Sequence, residues 1–228
     1  MLKFKEIIGI KNGEQENKKN FVSSIINSSA PKTDFYLMVC LSTLITALGL
    51  VSNNIALVIA GMIVAPLLSP ILAMSLGTII FNFKVFLRSI KIFILATLFS
   101  IIFSTLIGFI FNINSLDIML IRKMEISWLS FTISIIAGIT ASYAWTRPNS
   151  KDYLSGIAIA VTIIPPLTSL GLILSNIEFE LFIYILKFFL MNVWGIFLGG
   201  LLVFSFMNLY RVKKRIIKEV NREEKELQ

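Results

Sequence analysis

Two proline-bearing segments inside apolar runs hold the residues best placed to do chemistry. VAPLLSPI, residues 64–71, carries Pro66 and Pro70, and IIPPLTSL, residues 163–170, carries Pro165 and Pro166. Proline lacks an N–H and its ring crowds the carbonyl one turn earlier, so within a continuous helix Pro66 and Pro70 strip the carbonyls of Met62 and Pro66 of their usual donors. Pro165 and Pro166 do the same to Val161 and Thr162. In hydrocarbon an unpaired backbone group is costly and must be met by protein, by ordered water or by a passing ligand. The hydroxyls of Ser69, Thr162, Thr168 and Ser169 stand close enough in sequence to serve. Gly61, with Ala60, Ala65, Gly156, Ala158 and Ala160, leaves room for another helix or a solute. The chemistry on offer is coordination of a small solute or ion by carbonyls, helix ends and hydroxyls. The alternative is a pair of kinks satisfied by serine and threonine with no ligand.

The elements that must position these residues are membrane helices. The chain has 228 residues, 56% of them hydrophobic, and a mean hydropathy of +0.84. Apolar runs bounded by charges and turn residues predict six spans, at about 35–51, 55–81, 92–111, 127–145, 153–175 and 181–207. A shift of 100 residues lays the first proline segment on the second, matching Pro66 with Pro166, Leu67 with Leu167 and Ser69 with Ser169. The matches fall in the second span of each group of three. Three spans per half means that the second half enters from the opposite side, so the expected fold is an all-α polytopic membrane protein. Its halves, about 35–111 and 127–207, form a 3+3 inverted-topology repeat with proline-broken second and fifth helices. Interrupted helices at matching places in inverted repeats point to a transport site near the midplane.

Charge sets the orientation. Of 21 lysines and arginines, 18 fall in the basic arm of residues 1–34, the loops after the second and fourth spans, and the tail. Only Arg122 and Lys123 lie in the opposite loops. The positive-inside rule then makes both termini cytoplasmic, in a bacterial or archaeal cytoplasmic membrane. The net charge of +8 is largely this topology signal, so no nucleic-acid partner is expected. The polar first 34 residues predict no signal peptide. Histidine is absent and Cys40 is the single cysteine, which removes the usual transition-metal sets and the thiol–imidazole pair. No cofactor and no enzymatic activity are expected, since the span interiors offer hydroxyls without a base or paired acid.

Other polar residues carry two readings each. Lys187, inside the sixth span, either snorkels toward Glu178 or Glu180 or lends positive charge to an outward vestibule. Asn192, deeper in the same span, bonds another helix or a substrate. Asn53 and Asn54, in the Ser52-Asn53-Asn54 turn, either cap the second span or dip inward to offer amide oxygens to an ion. Residues 208–228 place Leu209, Val212, Ile216, Val220 and Leu227 along one stripe among charges. This predicts a cytoplasmic amphipathic basic helix that lies on anionic lipid or packs against its copy in a homo-oligomer.

SNNIALVIAGMIVAPLLSPILAMSLG (52–77), with GIAIAVTIIPPLTSLG (156–171), resembles the bacterial and archaeal family of hydrophobic proteins known as domain of unknown function 389 (DUF389). The resemblance covers roughly residues 35–205. It implies a polytopic membrane fold, makes Asn53, Asn54, Pro66, Pro70, Pro165 and Pro166 motif positions, and assigns them no role. The expected function is a transporter or channel for a small solute or ion in the lipid bilayer. Its path would run past Gly61, Met62 and the paired breaks. The alternative is a non-transporting scaffold or partner-binding subunit.

Overall fold

The computed structural model describes residues 33–111, 119–145 and 163–206. These residues form eight helices: α1 (Thr33–Val51), α2 (Ile55–Val64), α3 (Leu68–Ile79), α4 (Phe83–Phe111), α5 (Met119–Arg122), α6 (Trp128–Trp145), α7 (Ile164–Leu174) and α8 (Phe179–Phe206). Four of them, α1, α4, α6 and α8, are long and apolar enough to cross a membrane, and α2 with α3 makes a fifth if the bent pair counts as one span. The fifth expected span is described only from residue 163. The arm before residue 33 and the tail after 206 lie outside the described residues, as do Val161 and Thr162.

The α2–α3 run is interrupted once. A residue ahead of proline is pushed out of the helical region, and Ala65, before Pro66, is extended at φ −74, ψ 123. The chain resumes at Leu68 with its axis turned by 48°. Pro70 makes no second break. It sits in the first turn of α3, where an N–H has no partner within the helix and its loss is harmless. Pro165 and Pro166 occupy the same first turn of α7.

The third span begins nearer the turn than expected: α4 starts at Phe83, not 92, and takes in Lys84, Arg88 and Lys91. Their spacing follows one helical stripe, and Lys84 and Lys91 are exposed while Arg88 is half-buried. The reversals into α2, α4 and α8 each pass through a left-handed residue: Asn53 (φ 50), Phe81 (φ 51) and Ile177 (φ 57).

The two short helices form the centre. Every residue from Ser69 to Gly77 in α3 and from Ile164 to Ile173 in α7 is buried, as expected of helices apolar all round. The longer helices bury one face and present the other outward, with Leu98, Ile102 and Leu106 of α4 and Leu190, Trp194 and Leu202 of α8 exposed. Small residues let backbones meet. A Cβ on Gly199 of α8 would lie 2.7 Å from the Ile139 nitrogen and 2.9 Å from the Gly138 carbonyl carbon of α6. Gly171 of α7 seats against Ser104 and Ile101 of α4, and one turn on Gly108 of α4 seats against Ser175. These two helices therefore run the same way. Since α7 reverses tightly into α8, α4 and α8 are antiparallel. Where they cross, the rings of Phe93 and Phe189 stack, centroids 6.1 Å apart and planes within 3°.

Candidate functional site

The sequence-predicted residues fall into three groups. At the α2–α3 break, Gly61 and Met62 are buried and Pro66 is half-buried. The Ser42 hydroxyl of α1 donates to the Gly61 carbonyl at 2.7 Å, and the Ser69 N–H donates to the Pro66 carbonyl at 3.3 Å. A Cβ at Gly61 would collide with the Thr46 hydroxyl oxygen. Only glycine lets α1 lie this close, and that approach delivers the serine donor to the last turn of α2.

At the start of α7, Pro165, Pro166, Thr168 and Ser169 are all buried. The Ser169 hydroxyl donates to the Pro165 carbonyl at 2.8 Å. Its neighbour differs: the Thr168 hydroxyl is fully buried and, among the described residues, has no partner. Neither α3 nor α7 has a side-chain cap; their N-cap residues are Leu67 and Ile163.

The third group lies elsewhere. Asn54 caps α2, its Oδ1 accepting from the N–H of Ala56 at 3.0 Å and of Leu57 at 3.3 Å. Asn53 supplies the left-handed turn. Both are exposed, one α2 length or roughly 15 Å from the break. Lys187 is exposed on α8. Asn192 is 2% exposed; its Oδ1 accepts from the Ser134 hydroxyl of α6, and its amide nitrogen has no partner among the described residues.

Buried and half-buried hydroxyls that sequence reasoning passed over do much of the cross-linking. Thr43 of α1 donates to Ser100 of α4 at 3.0 Å. Ser75 of α3 donates to the Phe197 carbonyl of α8 at 3.0 Å, and Thr105 of α4 donates to the Gly171 carbonyl of α7 at 3.0 Å. The available signal was the four-residue spacing of Ser100, Ser104 and Gly108 along α4, a stripe of small residues. Among the described residues no cluster of acidic or cysteine side chains could hold a metal ion. An open apolar groove between the start of α6 and α8 is lined by Phe131, Trp128 and Met191, away from both proline segments.

The chain is 33% identical over 191 residues to an uncharacterised protein of Methanocaldococcus jannaschii, covering 84% of this chain and 58% of that protein's length. No solved structure matches it. Residues 62–198, which run from the last turn of α2 to the middle of α8 and include both proline segments, match the profile of the domain of unknown function DUF389, and the chain belongs to that family.

Proposed function

We propose that the chain is a six-span membrane protein with both termini cytoplasmic, built as a 3+3 inverted repeat, that passes a small solute or ion between its halves. The observation that carries this reading is reciprocal packing of the two central helices. A shift of 96 residues, rather than the 100 suggested by the prolines, sets Pro70 on Pro166, Ser75 on Gly171, Ser104 on Gly200 and Ile101 on Phe197. Ser75 of α3 packs on Gly200 of α8 and bonds the Phe197 carbonyl. At the matching place Gly171 of α7 packs on Ser104 and the Ile101 carbonyl of α4. Serine and glycine have exchanged partners across the repeat.

The same shift aligns the long helices. FKVFLRSIKIF (83–93) and FELFIYILKFF (179–189) share Phe83 with Phe179, Phe86 with Phe182, Lys91 with Lys187 and Phe93 with Phe189. Each residue of α4 that is buried from Ser89 onward has a buried counterpart on α8. The left-handed turn residues Phe81 and Ile177 also correspond. Such a molecule presents two short helices that start inside the bilayer, and Thr168 and Asn192 keep buried polar groups that have no partner among the described residues. An unused polar group in hydrocarbon is a place for a solute to stop.

The test is flux of a panel of small ions and neutral solutes into liposomes carrying the purified protein. Flux above that of empty liposomes supports the reading. No flux across the panel, together with specific capture of one partner by the tail, favours a scaffold. Cysteine labels at Asn54 and Ile177 should react from outside, and a cytoplasmic result at either removes the inverted arrangement.

A further inference from the structure

We infer that Phe93 and Phe189 are the closed constriction of this passage, and that the Thr97 hydroxyl and the free end of the Asn192 amide are the polar stations on its two sides. The inference rests on the passage proposed above and assigns it specific residues.

Among the ring contacts of the described residues, the stacked pair alone joins two residues that correspond at the 96-residue shift. Phe93 and Phe189 are counterparts at the 96-residue shift, so a residue touches its own repeat mate, in helices that run antiparallel. That is possible only where the relating two-fold axis passes through the contact. In an inverted repeat the axis lies in the membrane plane near mid-depth, which is where a barrier common to both entrances belongs. The rings are 9% and 2% exposed. Away from them α4 and α8 scarcely touch, since each packs chiefly on other helices. Rotation of one ring about its side-chain bonds therefore alters the contact without disturbing the close glycine–serine seats. Apolar constrictions of this kind gate by excluding water.

Polar groups without partners bracket the rings. Thr97 follows Phe93 by four residues on α4, and its hydroxyl oxygen is buried with no partner among the described residues. Asn192 follows Phe189 by three residues on α8, and its amide nitrogen has no partner among the described residues. The helices are antiparallel, so one turn onward leads toward opposite membrane faces. The two groups thus lie roughly 6 Å and 4.5 Å along their helices from the stack, one on each side. Buried polar groups are almost always paired. Two exceptions flanking one aromatic pair fit a solute that is released from one station, passes the rings and is received at the other.

Two measurements separate this inference from the transport reading itself. In a Cys40→Ser background, Phe93→Cys with Phe189→Cys should be joined by a short bifunctional thiol reagent in intact membranes. The product is read as two fragments held together after cleavage at a protease site placed between α4 and α6. Failure to join them removes the axial contact and the inference with it, whether or not the protein transports. In liposomes, Phe93→Ala and Phe189→Ala should each raise passive flux at least several-fold. Leu98→Ala, on the outward face of the same helix, should stay near wild type and serves as the control. Wild-type flux that the alanine variants leave unchanged overturns the constriction while the passage stands. No flux from the wild type or from either alanine variant overturns both.

Discussion

Two kinds of helix start coexist in this molecule. Three helices that begin near exposed turns carry side-chain caps: Asn54 for α2, Asn82 for α4, whose Oδ1 accepts from Lys84 and Val85, and Ser127 for α6, whose hydroxyl accepts from Ser130. The helices that begin in the core, α3 and α7, have leucine and isoleucine at the N-cap and prolines in the first turn. At the surface, an orphan N–H is met by adding an acceptor or leaving it to water. In the core it is removed, because proline has none to satisfy. The prolines that in a continuous helix deprive carbonyls of donors act here mainly at helix starts, where they lower the number of buried unpaired groups.

The contrast can be attacked at several points. The largest effect is expected at the close seats that bring the core helices in: Gly171→Val should destabilise by about 3 kcal/mol or prevent folding, since its Cβ meets the Ile101 carbonyl at 2.5 Å. Thermal unfolding in detergent reads this. Next, Pro165→Ala restores an N–H to a fully buried turn and should cost about 1–3 kcal/mol, whereas Asn54→Ala frees donors that water can reach and should cost about 1 kcal/mol. Equal losses for the two would erase the distinction between the kinds of start. Ser42→Ala, which strips the donor from the Gly61 carbonyl, should fall near 1–2 kcal/mol by the same assay. Smallest is Lys187→Gln, expected within about 0.5 kcal/mol on stability because the side chain is exposed.

Much of this was readable in advance. Long apolar runs between charged or asparagine-bearing turns located α1, α6 and α8 to within a few residues, and the proline segments did mark the most buried helices. The start of α4 at Phe83 differs from the expected 92 because the charges of Lys84, Arg88 and Lys91 read as a loop. Their helical spacing was the contrary signal, outweighed by charge. The register between the halves was set by proline identity, where Pro66 and Pro166 compete with Pro70 and Pro166. Backbone position favours the 96-residue register of the proposed repeat, since Pro70 and Pro166 both stand in a first turn and Pro66 stands before one. That the Thr168 hydroxyl and the Asn192 amide nitrogen have no partner among the described residues has no mark in the sequence, because whether such a group is paired depends on the neighbouring helix.

The left-handed turns bear on how the molecule sits in its bilayer. Glycine is the usual residue at positive φ, and an isoleucine there is strained. Phe81 and Ile177 nevertheless occupy these positions, at 81% and 84% exposure. Each carries a bulky apolar side chain at the tip of a reversal, and in the inverted arrangement the two tips lie at opposite faces. Such side chains partition into the acyl boundary and resist being drawn into water. In the inverted arrangement proposed above they would moor the protein at both faces, with the Phe93–Phe189 contact at the centre of the lipid.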